Sequence, residues 1–472
     1  MAGRFVAGET KTRPGIYFRQ ENGGGLDLTG AANGVTAVAF RANWGPLGEV
    51  ITIEDPSEIP FIFGDDSGEN SNVSILTKIF QGGASVIKAV RVGSGGTKAE
   101  ITLQDTTAAA VKLTAKYAGT RPLTVTIKDS LSVETERECI IYAGTKELSK
   151  VTFAKGNGEA DALVAAINES ADCVVTATKL PTAGTAALAS VTQSAFTTAG
   201  VSPEIANADY DAAFAALEAA AWNTICVDTD DTAVHTLLKA FIDRANDSGL
   251  MGIAVIGEPA SVEYETRRTR AASYNSENLV YVLNGFKIGD EVYEGWKAAA
   301  VMAGYTAYLP SNDSLTHKVI AGATEVVGAL TNSKIVECLR SGCLIFTVAT
   351  SGAVWVEQGI NTLVTLSGDQ DAGWKKIRRT KTRFELITRI NENSEGIIGA
   401  VNNDSNGRAT FMAIANGVIN QMIAEGKLLS GTCEEDAANP AKGDSAWFIL
   451  KIQDLDSIEK VYLVYRFQFA AE

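Results

Sequence analysis

Acidic side chains that follow a predicted strand are the residues of this chain best suited to chemistry. The apolar run 225–227 is followed by Asp228, Asp230 and Asp231, and a helix is predicted from Thr232. Carboxylates grouped at such a strand end can do nucleophilic or acid–base chemistry beside a metal ion. The same carboxylates can instead cap the next helix, whose N-terminus carries partial positive charge. We favour helix capping.

The catalytic alternative has a family resemblance of its own. Asp228-Thr229-Asp230 resembles the aspartate signature of haloacid-dehalogenase-type phosphatases, which are Mg²⁺-dependent. The later lysine and acidic metal ligands that this chemistry needs have no clear match in the chain. A phosphatase is therefore kept as an alternative function.

The remaining candidate motifs do not indicate a cofactor or a metal. Gly93-Ser94-Gly95-Gly96-Thr97-Lys98 looks like a phosphate loop, but it lacks the GxxxxGK[ST] spacing and precedes an alternating, strand-like run. We interpret it as a flexible domain junction. His235 and His317 are the only two histidines, so the chain has too few of them to favour a His-based triad or a multi-histidine metal centre. We predict no catalytic residues, no cofactor and no metal.

Composition excludes several classes of protein. The 472 residues include 41 Lys and Arg against 56 Asp and Glu, a formal net charge of −15 that would repel nucleic acid. No apolar run approaches the roughly 18 to 20 residues of a membrane-spanning helix, so we expect no membrane insertion. The six cysteines form no CxxC pair and are expected to be reduced and mostly buried. The first residues lack the apolar core of a signal peptide, and we expect synthesis in the cytoplasm.

One segment departs from this acidic character. A predicted helix over residues 373–391 carries six cations within nine residues, interleaved with Trp374, Ile377 and Phe384. This pattern is typical of an electrostatic contact to an acidic partner, and a solvated helix face is the alternative. The six cations are Lys375, Lys376, Arg378, Arg379, Lys381 and Arg383.

Alternating strands and helices predict the fold class. Strands are expected at 34–40, 49–53 and 84–92, with a helix capped by Ser71 or Asn72 between the last two. Helices and strands alternate again from Asp209 to Gly304. Strands separated by helices of this length predict an α/β core with a mostly parallel sheet.

The rest of the chain predicts further domains. The segment 96–200 is rich in Thr and Ala with short strand-like runs, so we expect an inserted β-rich domain. Beyond it we predict an α+β C-terminal domain that ends in a hairpin of 446–452 with 460–469. The predicted fold is an α/β and α+β multidomain protein with extended N- and C-terminal arms. The predicted boundaries are a linking arm at 1–20, a core at 21–95 plus 201–340, the insert at 96–200, the C-terminal domain at 341–457 and a linking strand at 458–472.

Several short motifs follow one another along the chain in a set order. They are Arg13-Pro14-Gly15-Ile16-Tyr17, the strand 36–40 with Asn43-Trp44-Gly45-Pro46, the run 80–91, the helix 379–390 and the segment 454–463. This order resembles that of the sheath proteins of contractile phage tails and of phage-tail-like bacteriocins. The resemblance covers roughly residues 1–95 and 200–472, and the insert matches nothing specific.

The resemblance implies a structural subunit of a six-start helical sheath around an inner tube, which contracts to drive the tube through a target envelope. Its expected partners are further copies of itself, the tube protein, and baseplate and terminator proteins. The basic cations at 375–383 would face the tube in the innermost domain. The arms would add strands to a neighbour's sheet through Ile16, Tyr17, Phe18, Val461, Tyr462, Leu463, Val464 and Tyr465.

The resemblance leaves other points open. The particle can be a complete phage or a headless bacteriocin, in either case assembled in the bacterial cytoplasm and released on lysis. A non-contractile self-assembling shell protein is a second alternative function, although such proteins more often carry a secretory signal.

Overall fold

The computed structural model describes residues 2–4, 16–18, 33–67, 70–368 and 370–468. They divide into a core unit, formed from 33–385 and 454–472, and a hairpin unit, formed from 1–32 and 386–453. The predicted domain boundary near residue 341 thus lies inside the core unit. In the N-terminal segment, β1 (Ala2–Arg4) pairs in parallel with β2 (Ile16–Phe18). The rest of the predicted arm at 1–20 lies outside the described residues.

The core begins with a strand that is buried along nearly its whole length. Such a continuously buried run is typical of a strand covered on both faces by helices. The helix that begins at Ser74 is not capped by Ser71 or Asn72, so that prediction is wrong. Asp66 accepts the hydrogen bond from the Ser74 backbone N–H at 2.8 Å instead. The elements are β3 (Val35–Phe40), β4 (Val50–Ile53), α1 (Ile59–Ile62), α2 (Ser74–Gln81) and β5 (Val86–Arg91).

The insert forms separate antiparallel sheets around its own apolar cluster. One sheet has the strand order β10-β9-β8-β12 and the other the order β11-β7-β6. These elements are β6 (Lys98–Gln104), β7 (Ala109–Ala118), β8 (Thr124–Asp129), β9 (Glu136–Ala143), β10 (Lys146–Ala154), α3 (Glu159–Glu169), β11 (Val175–Lys179) and β12 (Val191–Ala195).

The junction between core and insert is not the free linker that its glycines predicted. Its two connections pair with each other, Ser94 opposite Glu204 and Thr97 opposite Val201. The buried Arg91 guanidinium donates to the carbonyls of Ala42, Gly45 and Ala118, which joins core and insert. Glycine supplies turns in this connection, but hydrogen bonds hold it in place.

Helices and strands alternate through the second half of the core. A seven-stranded sheet has the order β19-β15-β14-β13-β3-β5-β4, in which only β4 runs antiparallel to its neighbour. The predicted, mostly parallel core sheet is confirmed. The elements are α4 (Asn207–Leu217), β13 (Thr224–Val227), α5 (Thr232–Asp247), β14 (Ile253–Gly257), α6 (Tyr264–Tyr274), β15 (Leu279–Val282), β16 (Gly285–Ile288), β17 (Glu291–Tyr293), α7 (Trp296–Tyr308), β18 (Ala323–Val327), α8 (Asn332–Arg340) and β19 (Cys343–Leu344).

The C-terminal part contains two long helices and two separate two-stranded sheets. The predicted final hairpin of 446–452 with 460–469 is wrong, because β23 pairs with the unpredicted β22. No helix within the described ranges is long and apolar enough to cross a membrane. The elements are β20 (Phe346–Val348), β21 (Val354–Val356), α9 (Ile377–Ser394), α10 (Ser405–Ala424), β22 (Leu428–Glu435) and β23 (Phe448–Asp454).

Candidate functional site: a closed crevice and an open arm

The crevice at the carboxyl ends of β3 and β13 is where a ligand would bind in an open α/β sheet. The chain leaves β3 toward β5 on one side and later returns to β13 on the other, which makes this the topological switch point. Asp228 lies there and is fully buried. The location is the one expected for a catalytic aspartate, so its contacts decide between catalysis and structure.

Both carboxylate oxygens of Asp228 are already used. The Arg41 backbone N–H and Nε donate to Oδ2 at 2.9 and 2.8 Å, and Asn72 Nδ2 donates to it at 3.0 Å. The Tyr210 hydroxyl donates to Oδ1 at 2.6 Å. Burial and the Asp228 carboxylate raise the pKa of Tyr210, which keeps this hydroxyl protonated as a donor. Both oxygens of this carboxylate are thus bonded to neighbouring groups of the chain, as in a buried structural network.

The two neighbouring aspartates act on helix N-termini. Asp231 accepts from the Ala233 backbone N–H at 2.8 Å and so caps α5. Asp230 accepts from the Trp296 backbone N–H at 2.7 Å at the start of α7. Burial raises the pKa of Asp230 to about 6. Helix capping, the interpretation favoured from sequence, describes these contacts, and the described residues contain no cluster of ligands suited to a metal.

The histidines and cysteines have structural surroundings. His235 is fully buried and its Nε2 lies 2.9 Å from the Thr229 carbonyl oxygen, while burial lowers its pKa to about 4. His317 is exposed and stacks on Trp355 with ring centroids 3.9 Å apart. All six cysteines are buried free thiols.

The six predicted cations do not form one exposed helix face. Lys375 lies in a 3₁₀ turn before α9 and donates to the Val364 carbonyl at 2.8 Å. Lys381 donates to backbone carbonyls of α7 and of the residue that follows it. Arg383 pairs with Glu277 and lies over the Trp374 ring, 3.8 Å from its centroid. These three cations therefore contribute to the packing of the core unit.

The other three cations hold the segment that follows β23. Arg379 forms a two-pronged ion pair with Asp454, its Nη2 lying 2.7 Å from Oδ1, and Arg378 donates to the Leu455 carbonyl. Lys376 Nζ lies 2.6 Å from Asp456 Oδ2. Although burial opposes the effect, Lys376 lowers the pKa of Asp456. We call the segment 454–459 with these contacts the arm root.

Glu459 completes the arm root from the other side. Its side chain is only 8% exposed, and it lies 3.2 Å from Lys376 Nζ. The Thr316 hydroxyl and Gln358 Nε2 each donate to it at 2.9 Å. The acids Asp454, Asp456 and Glu459 were not singled out from the sequence, although they lie near one another within the quoted motif 454–463. Only the folded chain brings the two sets together.

Beyond the arm root the chain is exposed and belongs to no helix or strand. Residues 460–468 have no strand partner among the described residues, and we call them the C-terminal arm. Their apolar side chains are more than two-thirds exposed: Val461, Tyr462, Leu463, Val464, Tyr465 and Phe467. The predicted strand at 461–465 thus has no partner within the described chain, whereas Ile16, Tyr17 and Phe18 lie in β2 beside β1.

The hairpin unit contains a small sheet to which a strand such as the C-terminal arm could be added. β22 and β23 form a two-stranded sheet that packs against α10. Leu429, Trp447, Ile449 and Leu450 on these strands or next to them are exposed. A two-stranded sheet has two open edges, and each presents unpaired backbone groups to which another strand can bind.

Comparison with known proteins identifies the central part of the chain. Residues 204–362 match the family model of the phage tail sheath protein central domain. The phage-like element PBSX protein XkdK of Bacillus subtilis is 24% identical over 480 residues, covering 98% of each chain. The uncharacterized protein YqbK of the same organism is 25% identical over 385 residues, covering 79% of this chain and 78% of YqbK.

Solved structures share the fold. The sheath tail protein of Desulfitobacterium hafniense superposes with a TM-score of 0.66 at 21% identity, covering 93% of this chain and 100% of the other. The helical sheath of the anti-feeding prophage in its contracted state gives a TM-score of 0.54 at 10% identity, covering 97% and 99%. The sheath resemblance and the multidomain fold class predicted from sequence are confirmed.

Proposed function

We propose that this chain, a phage tail sheath protein by its central domain, is the structural subunit of a contractile sheath. It polymerises helically around an inner tube and shortens to drive that tube through a target cell envelope. The single observation that carries the proposal is the matched central domain at 204–362. The contracted-state sheath that shares this fold over nearly the whole chain supports the contractile reading.

We further propose that the protein is not an enzyme. The switch-point crevice, where an α/β enzyme would bind its substrate, is filled by the contacts of Asp228 with Arg41, Asn72 and Tyr210. Such a crevice fixes the geometry of the subunit. A phosphatase would need a carboxylate oxygen free to attack, which argues against that alternative.

The C-terminal arm is proposed to link one subunit to the next. An extended strand with exposed apolar side chains gains free energy when it joins the edge of another sheet, since backbone hydrogen bonds and burial both increase. The two-stranded sheet of β22 and β23 in a neighbouring subunit has free edges of the required kind. Strand addition depends little on side-chain identity, so the link can persist while subunits rotate during contraction.

The cations at 375–383 are proposed to face the tube, although two of them form ion pairs within the same subunit. Lys376 and Arg379 are held by Asp456 and Asp454, so their charge is largely compensated inside the subunit. The contacts support a first role in anchoring the arm. A tube contact by Lys376 and Arg379 would then use the N–H groups that their acidic partners leave unbonded.

Partners and location follow from the same proposal. Matched structures include the anti-feeding prophage baseplate, which supports an association of the sheath with a baseplate. A tube protein inside the sheath and a terminator protein at its end complete the proposed assembly. The particle is phage-tail-like, assembled in the bacterial cytoplasm and released on lysis.

Negative-stain electron microscopy of the full-length chain, alone and co-expressed with its tube protein, tests the proposal. We expect hollow striated tubes, and two distinct tube lengths or diameters would separate a contractile sheath from a static shell. Discrete particles in both preparations would contradict self-assembly.

A truncation tests the arm within the same experiment. A chain ending at Lys460 lacks the exposed part of the arm but keeps every arm-root contact. We expect it to remain folded and to form no tubes, while a control lacking only residues 469–472 assembles. Normal tubes from the chain ending at Lys460 would refute linkage through the arm.

A further inference from the structure

The hairpin unit contains a groove that none of the proposed roles explains. It encloses about 510 Å³ between the 397–403 connection, the first turn of α10 and the start of β23. Phe411 and Phe448 form its apolar base, with ring centroids 4.4 Å apart. Ile398 on its wall is 75% exposed, and Val401 and Trp447 are also open to solvent. Exposed apolar side chains gathered around one concave surface indicate a binding site.

The polar groups of the groove restrict what can bind there. Asn403 Nδ2 donates to the carbonyls of Gly443 and Ser445, both at 3.0 Å, which fixes the orientation of the amide. Asn403 Oδ1 is buried and accepts no hydrogen bond from any described residue. A buried acceptor without a donor is costly, so a ligand that shifts the wall of the groove and brings a donor to this oxygen is favoured. Asp444 at the rim makes no ion pair within the described ranges.

The C-terminal arm carries the matching groups. Tyr465 is 72% exposed, supplies both an aromatic ring and a hydroxyl donor, and stacks on Phe467 with ring centroids 6.2 Å apart. The next residue, Arg466, is exposed and makes no ion pair among the described residues, so it complements Asp444. Tyr465 lies six residues beyond Glu459, a reach of up to about 20 Å at roughly 3.3 Å per residue.

We propose that this groove binds Tyr465 from the C-terminal arm of a second copy of the chain. The ring packs against Phe411, Phe448 and Trp447, the hydroxyl donates to the Asn403 amide oxygen, and Arg466 lies beside Asp444. The groove adjoins the first residues of β23, so a strand added along that sheet would deliver its end there. This inference rests on the proposed arm linkage and gives that linkage a specific side-chain anchor.

Photo-crosslinking of the full chain tests where the arm binds. Tyr465 is replaced by p-benzoylphenylalanine, and light and ¹⁵N-labelled chains are mixed before assembly and irradiation. We expect mixed-isotope crosslinks that map to 397–411 or 444–448. Crosslinks confined to single chains, or mapped to other segments, would overturn the proposal.

Substitutions on both sides of the contact give an independent measure. Tyr465→Ala should raise the concentration needed for tube assembly at least about 10-fold, as the loss of a buried aromatic anchor does. Tyr465→Phe, which loses only the hydroxyl, should raise it less. Ile398→Asp should match the alanine variant, whereas Leu131→Asp, at a still more exposed apolar residue of the insert, should change nothing.

These outcomes separate the inference from the function on which it rests. If the wild-type chain forms no tubes, the proposed function fails. If the chain ending at Lys460 loses assembly but Tyr465→Ala and Ile398→Asp assemble normally, the arm links subunits but does not bind in this groove.

Discussion

The switch-point crevice and the C-terminal arm use charged side chains in opposite ways. In the crevice, Asp228 is fully buried, and Arg41 and Tyr210 donate hydrogen bonds to its two oxygens. At the arm root, Asp454 and Glu459 hold one end of a segment whose other end stays exposed. The first arrangement uses charge to close a site, and the second uses charge to hold one end of a segment whose apolar side chains remain exposed. The proposed sheath subunit would use the first to keep its shape and the second to bind its neighbours.

The largest expected effect breaks the closed crevice. Asp228→Ala leaves the partly buried Arg41 guanidinium and the Tyr210 hydroxyl without their acceptor. Removing one partner of such a pair should lower the free energy of unfolding by about 3 kcal/mol. Urea unfolding followed by circular dichroism measures it. Asp313→Ala, which removes an exposed pair with Lys318, is the control and should cost under about 1 kcal/mol; equal losses in both variants would contradict the description of the crevice.

The next effect concerns the arm root. Arg379→Asp should reduce tube assembly at least about 10-fold, because it places two carboxylates face to face and frees the arm. The double variant Arg379→Asp with Asp454→Arg should restore much of the assembly if the pair anchors the arm. Sedimentation of polymer measures both. A double variant as defective as the single one would instead favour a direct tube contact by Arg379.

A smaller effect lies in the hairpin unit and depends on pH. Hydrogen bonds from Arg389 and Lys427 lower the pKa of Glu425 from its usual 4.5 to about 2. Because its pKa is lower in the folded state, the ionised carboxylate stabilises the fold at pH values above the pKa of the unfolded chain. That stability is lost as the pH falls from 4.5 toward 2. Glu425→Gln should cost about 1 kcal/mol at pH 7 and less at pH 2.5. Thermal unfolding at both pH values measures the difference, and an equal cost at the two would refute it.

The smallest expected effect is on stability and concerns Asp230, beside the crevice. Asp230 has a pKa raised to about 6 by burial, so its ionisation opposes folding as the pH rises from about 4 through 6. Asp230→Asn keeps an oxygen for the Trp296 N–H and should be more stable than the wild type at pH 8 by up to about 1 kcal/mol. At pH 4 the two should unfold alike. A variant less stable at pH 8 would mean that the carboxylate charge itself is needed there.

The candidate site shows how far local reasoning reaches. The cations at 375–383 are visible in the sequence because they are close together, and they suggested an outward-facing patch. Their partners lie far away in sequence, 80 residues for Lys376 with Asp456 and 106 for Arg383 with Glu277. Composition identifies such charges but not their partners. The same reason explains the wrong final hairpin: 460–469 alternates like a strand, yet β23 pairs with β22.

The sequence by itself determined the features that depend on local pattern. Continuous apolar runs separated by amphipathic helices specify a parallel core sheet, and the order of short motifs indicates the sheath family. Tertiary structure alone decided which polar groups are satisfied inside the subunit and which remain available to another copy. It closed the crevice around Asp228, placed Asp454 on Arg379, left the Tyr465 side chain exposed, and left Asn403 Oδ1 without a hydrogen-bond donor in the described chain. Whether a side chain is free depends on contacts between residues distant in sequence, and spacing along the chain does not encode them.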